Sequence, residues 1–373
     1  MENSINKKAT NHLRRKRTWI AYSFIAPNFI GFFVFTLIPI LFSLVLAFMK
    51  WDSFSTPEFA GLDNFRKMAN DETFWISLKN TFLYTAAVVP GTLVCSLGLA
   101  LLLNQKIRGM KLFRTIFFFP YVTSLVAIAV VWNMLFHPTM GPINIFLKRF
   151  IEHPPGWTSS SNWALWAIVI VSIWRGMGYY MILYLAGLQS IQKELYEASS
   201  LDGANRWKQF LNVTLPSLRP TTFFVTIMLV INCFKVFDLV QVMTDGGPGR
   251  ATNVLVYQIY NEAFKKFDFG YASAISLVLF VIVLGVRLFS FLGISVVLRR
   301  YEMEESVQNE RKKAKIFSND MTFIQWLGMI LLIGLALLTI IPFLWMVSAS
   351  FKANNEVFTI PIQWIPKTWH LEN

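Results

Sequence analysis

Arg175, Lys235, Asp238 and Arg287 stand inside long apolar runs of the sequence, where an ionisable group is costly unless it is paired or faces water. Such groups can attract a polar solute, neutralise one another, or reach out to an interface. Lys235 and Asp238 fall three positions apart, so on a continuous helix they share a face and can pair; contact with a ligand is the other use open to them. Arg287 lies near the end of its run, where a long side chain can snorkel. Arg175, in the middle of SIWRGMGYYM, has no such exit. The remaining reactive groups argue against metal or phosphate chemistry on this chain. His12, His137, His153 and His370 show no HExxH spacing and no CxxC is present, which disfavours a metal enzyme. Cys95 and Cys233 lie in apolar runs, where thiols serve as small packing residues, and they imply neither a disulfide nor a metal site. No GxxxxGK[ST] phosphate loop occurs, so any nucleotide hydrolysis belongs to another chain.

The elements that position these residues are apolar helices. With 55% hydrophobic and 16% aromatic residues, the chain is too apolar for a soluble globule. A helix crosses about 30 Å of hydrocarbon with about 20 apolar residues, and Thr18 to Met49 and Met321 to Phe351 each exceed that without a charge. The pattern predicts an all-α, polytopic transmembrane bundle with seven spans: residues 19–49, 82–104, 114–136, 163–187, 221–242, 271–297 and 325–348. No small-residue cleavage site follows the first apolar stretch, which is therefore read as retained. Lys and Arg accumulate on the cytoplasmic side. With the N-terminus inside, 20 of the 34 cations fall on inner segments and 11 on outer ones. The net charge of +13 is explained by this topology and by anionic lipid headgroups rather than by nucleic acid.

Between the fourth and fifth spans, residues 194–220 form a long polar segment where a short turn would do. Glu194 to Leu201 can make a short helix with Leu195, Ala198 and Leu201 on related faces, and Gly203 can supply the positive φ that stops it. A second short helix can run to Val213 before Pro216 starts the next span. Ala198 and Ser199 are small enough for a partner cleft to approach the backbone, and Glu197 and Asp202 offer carboxylates. An amphipathic helix lying on the membrane surface is the bland alternative. The spaced pattern Glu197-Ala198-Ser199, Asp202-Gly203-Ala204 and Leu215-Pro216 resembles the EAA signature of the membrane subunits of binding-protein-dependent ABC importers, in particular the maltose-type sugar uptake family. The likeness extends to residues 59–81, where Gly61 and Asn64 read as turn residues; to 113–136, with Pro120 as a place for a kink; and to 234–252. There Gly246-Gly247-Pro248-Gly249 reads as a tight loop or a docking edge for a substrate-binding protein.

The resemblance implies a permease working by alternating access, with Glu197, Ala198, Ser199, Asp202, Gly203 and Ala204 coupling it to an ATP-binding cassette dimer. ATP and Mg would sit on that dimer, and this chain would carry no cofactor. It further implies a second permease subunit or half, an extracytoplasmic binding protein, and a place in the bacterial inner membrane with the N-terminus cytoplasmic. Matching by the same motifs puts Ser172, Arg175, Gly176 and Tyr179 of span four, and Asn232 and Cys233 of span five, around a sugar path. Asn, Tyr and Ser suit hydroxyls, an aromatic face suits a pyranose and Gly makes room, while Cys233 is a poor hydroxyl partner. An ion-coupled secondary transporter would favour an inverted repeat and midplane carboxylates, whereas Asp238 is the one acid well inside a predicted span. A non-transporting membrane scaffold is the other reading to be tested. The likeness covers roughly residues 10–300, within a six-span unit placed at 1–300. A charged linker follows at 301–320, and 321–373 resembles the opening of a second, partner-type permease, either part of a fused pair or an appended helix.

Overall fold

A computed structural model describes residues 18–105, 109–305, 323–352 and 364, apart from the side chains of 289–305 and 323–325. The N-terminal cations, most of the 301–320 linker and most of the segment beyond the last span lie outside the described residues. Two compact units are present, one from residues up to 70 together with 259–278, the other from 71–258 and 279 onward.

In the first unit the apolar helix α1 (Thr18–Leu46) carries one π turn at Phe33–Leu37. It leads into a two-residue hairpin, β1 (Met49–Lys50) and β2 (Glu58–Phe59), and then into α2 (Asp63–Asn70). Gly61 adopts φ +53° as a turn residue. Asn64, expected in that turn, is instead buried in α2. Its Nδ2 donates to the Ala47 and Met49 carbonyls at 3.0 and 2.8 Å, tying α2 back to the chain that leaves α1. Lys67 closes the unit with an ion pair to Asp268 at 2.6 Å.

The second unit is built on two long helices, α3 (Glu72–Leu103) and α7 (Ala164–Ser190). Asp71 caps α3, accepting from the Thr73 N–H at 2.8 Å. Gly91 lets the pair close up: a Cβ there would meet Ile173 Cδ1 at 2.5 Å. The helix α4 (Met110–Val122) packs on α7, and α10 (Arg219–Phe234) packs on both α3 and α7. The short α5 (Leu125–Leu135) and α11 (Asp238–Met243) pack on one another. The chain continues through α12 (Leu255–Tyr260) and α13 (Phe269–Glu305) to α14 (Phe323–Ser350). Among the described residues five helices are long and apolar enough to cross a bilayer, and seven spans result if each of two bent pairs counts once.

Two spans expected to be continuous are broken. The third divides into α4 and α5, which meet at 96°. The break is not at Pro120, which sits within α4, but at Thr123 and Ser124, whose ψ angles of 149° and 125° are extended. One missing N–H is tolerated in a membrane helix; two consecutive hydroxyl residues able to bond locally end it. The fifth span stops at Phe234 and restarts at Asp238. Lys235 and Asp238 therefore do not share a helical face, and no ion pair joins them among the described residues. Lys235 sits at a helix C-terminus and Asp238 in a first turn, where the end charges of the helices favour a cation and an anion respectively. Finally, α13 runs on to Glu305, into the stretch expected to be linker.

Candidate functional site

The polar segment folds as a helix-turn-helix projection, α8 (Lys193–Leu201) and α9 (Arg206–Ser217). Gly203 takes φ +77°, and the Ala204 N–H reaches back to the Ser199 carbonyl at 2.9 Å. This left-handed ending satisfies carbonyls that a helix terminus orphans. Asn205 then starts α9, its side chain accepting from the Lys208 N–H at 2.9 Å. The two arms are bolted together: Tyr196 OH to Thr214 Oγ1 at 2.8 Å, and Gln209 Nε2 to Ser200 Oγ at 2.7 Å. Glu197, Ala198, Asp202 and Gly203 are exposed, and Ser199 and Ala204 are half-buried. The arm α9 runs past the expected end at Val213. A π turn at Phe210–Thr214 widens the helix just ahead of Pro216, whose ring would otherwise press on a preceding carbonyl. The chain bends by 62° into α10.

The path residues expected on α7 lie along one stripe. Ser172 Oγ accepts from Tyr84 OH of α3 at 2.7 Å and donates to the Ile168 carbonyl at 2.8 Å. One turn on, Arg175 Nη2 donates to the Tyr121 carbonyl at 3.1 Å. That carbonyl is one of those left without a helical partner by the break after α4, so Arg175 caps the broken span. The Arg175 guanidinium also lies over the Tyr121 ring at 5.1 Å. The Tyr121 ring in turn stacks on Tyr179 at 4.3 Å and 10°. Asn232 of α10 donates to Tyr180 OH at 3.1 Å. Cys233 is packed in the hydrophobic core. Gly176 is in ordinary contact with Thr92 and Tyr180 at 3.7 Å.

Several residues of these two regions were not singled out from the sequence. Tyr84, Tyr121 and Tyr180 supply most of the phenols beside the stripe, and no local pattern marks them, because each comes to its partner by tertiary packing. Gly178, rather than Gly176, is the position where space is decisive: a Cβ there would overlap the Phe117 carbonyl of α4. On the projection, Leu201 is 90% exposed and Trp207 66%. Charged neighbours in the sequence had hidden them. The loop at 246–249 is well anchored. Thr252 Oγ1 donates to the Gly247 carbonyl at 2.8 Å, and Asn80 Nδ2 donates to the Arg250 and Asn253 carbonyls at 3.1 and 3.0 Å.

The profile of the family described as binding-protein-dependent transport system inner membrane component matches residues 92–301. The lactose transport system permease protein LacF of Rhizobium radiobacter is 39% identical over 275 residues, covering 72% of this chain and 91% of that protein. The sn-glycerol-3-phosphate transport system permease protein UgpA of Yersinia pestis is 33% identical over 276 residues, covering 74% and 93%. Among solved structures, a chain of the bacterial alginate ABC transporter in complex with alginate pentasaccharide-bound periplasmic protein superposes with a TM-score of 0.65 at 25% identity, covering 74% of this chain and 93% of that one.

Proposed function

The chain belongs to the family of binding-protein-dependent transport system inner membrane components, and from that premise we propose that it imports a sugar or sugar derivative through the α7 stripe, driven by a separate ATPase. It is a multi-pass ABC transporter permease. The observation that carries the mechanism is the rigid projection: its two arms are hydrogen-bonded to each other and continue into α7 and α10. A pull on α8 and α9 is therefore delivered to the two helices that bear Arg175, Tyr179 and Asn232. Glu197, Ala198, Asp202 and Gly203 face the ATPase, with Leu201 and Trp207 as apolar anchors, and Ser199 and Ala204 hold the turn. ATP and Mg are bound and used on that partner.

The projection lies on the cytoplasmic side with the N-terminus, as the cation distribution favours. A binding protein delivers solute at the opposite face, where the anchored 246–249 loop offers a firm edge. A second permease half completes the path, and α14 is read as the first span of such a half. The mechanism is alternating access, in which closing of the ATPase dimer rocks α7 against its neighbours. The test is Gly203→Val combined with Ala198→Asp in the assembled complex. Solute uptake should fall at least about tenfold while membrane insertion is unchanged, because the strain on a left-handed residue is local. Full substrate-stimulated hydrolysis and uptake in the double variant would remove the coupling role.

A further inference from the structure

Arg175 is over-provided for the structural task it performs. Capping the α4 break uses one donor, Nη2, on the Tyr121 carbonyl at 3.1 Å, and a neutral amide could do as much. Among the described residues Nε is buried without a hydrogen-bond partner, and no carboxylate stands within ion-pair distance of the guanidinium. The guanidinium carbon lies over the Tyr121 ring, itself stacked on Tyr179, at 5.1 Å. A guanidinium carries its donors in the plane at its edge, the arrangement that meets a carboxylate or phosphate. Retaining a full charge at mid-span without a bonded counter-ion is costly, and that cost is offset if the counter-ion arrives with the solute.

We infer that the transported solute is an acidic sugar derivative, a carboxylate- or phosphate-bearing one, whose oxyanion is received by Arg175 while a ring or carbon face lies beside Tyr179. This rests on the sugar-permease reading and narrows it. Among the described residues Asn232 spends one amide donor on Tyr180 OH and keeps its amide oxygen for a hydroxyl of the sugar body, so the sugar has its own contact and Arg175 sets the preference for charge. Arg175 is thus a specificity-determining residue as well as a cap.

The experiment measures import by cells that make the whole transporter, against cells lacking only this chain. They are offered matched pairs: galactose and galacturonate, their disaccharides, and glycerol and sn-glycerol 3-phosphate. The expected result is chain-dependent uptake of an acidic member at least about tenfold above its neutral partner, the scale of one charge-assisted bond lost. The carboxylate and phosphate arms show which oxyanion is preferred. Arg175→Gln keeps a donor for the Tyr121 carbonyl and should raise KM for the acidic probe about tenfold, erasing the acid-over-neutral ratio, with Arg175→Lys restoring part of it. A purely structural role would lower all uptake without moving that ratio. Chain-dependent import of a neutral member in preference, or an unchanged ratio in Arg175→Gln, overturns the inference and leaves the sugar-permease reading standing. Absence of chain-dependent import of every probe overturns both.

Discussion

The projection and the α7 stripe use the same kinds of bond and are encoded at different distances. Tyr196 to Thr214, the longest tie in the projection, joins residues 18 apart. The stripe is tied by Asn232 to Tyr180, Arg175 to Tyr121 and Tyr84 to Ser172, at separations of 52, 54 and 88 residues. The first region can therefore set its shape from its own sequence, whereas the second exists only once the bundle has packed. A lever should keep its form while the helices beneath it move. A path that opens and closes should be made of contacts between helices, which movement can rearrange.

The sharpest way to break this contrast is to put the same small group on a glycine of each region. In Gly178→Ala the new methyl overlaps the Phe117 carbonyl. Because backbone cannot step aside alone, α4 must separate from α7, at a cost of about 3 kcal/mol or more, the upper end of overpacking. We expect loss of monodisperse protein in detergent and, for the folded fraction, a much lower Tm. Gly203→Ala meets nothing within 4 Å and carries only the strain of its left-handed φ, about 1 kcal/mol. Its Tm should match the parent protein while uptake falls. Equal loss of thermal stability in both variants would show that the projection and bundle fold as one, and the contrast would fail.

Two tyrosines sharpen it at smaller scale. Tyr84→Phe and Tyr196→Phe each remove one hydroxyl from one hydrogen bond, worth about 1 kcal/mol. Tyr84→Phe frees one lone pair of Ser172 Oγ beside the proposed path and should change KM by up to about fivefold with the ATP cost per solute unchanged. Tyr196→Phe should leave KM alone and raise the ATP spent per solute, because it slackens the joint between α8 and α9. Exchange of these two signatures between the variants would reverse the assignment of the regions.

The difference in encoding also explains what could be read in the sequence. The projection was legible because its signals are local: Gly203 could be assigned a positive φ, and Glu194 to Leu201 a short helix, from neighbours alone. The spans were legible from uninterrupted apolar runs. Their breaks were not, because Thr123, Ser124 and Lys235 read as polar residues carried by a continuous helix, and no local signal marks them as its end. Pro120 drew attention to a neighbouring position because its chemistry is visible in one residue, whereas the actual break is held by Arg175 from another helix. Gly176 and Gly178 look alike in SIWRGMGYYM, and only the approach of α4 tells them apart. Asn64 looked like a turn residue because Asn commonly is one; its role as a buried bracket to Ala47 and Met49 depends on how α2 returns to the end of α1.

The smallest expected effect tests whether the projection is as self-contained as its short ties imply. Asn205 caps α9 through its own side chain, a contact that involves no other helix, and replacing such a cap by Ala costs about 1 kcal/mol. That loss should stay within the projection: α9 should fray at its first turn, Trp207 should become more mobile, and neither the Tm of the bundle nor KM should move. Coupling should weaken modestly, by no more than about fivefold in ATP spent per solute, because the Gln209 and Tyr196 bonds still join the arms. Asn205→Asp, which keeps an acceptor in place and adds a negative charge at a helix N-terminus, should restore the parent value. The checking measurements are the fluorescence anisotropy of Trp207, in a background where the other tryptophans have been replaced by Phe, and the coupling ratio in proteoliposomes. If Asn205→Ala instead shifts KM, strain at the turn is reaching the α7 stripe in the resting state, and the lever and path are linked before any ATPase pulls.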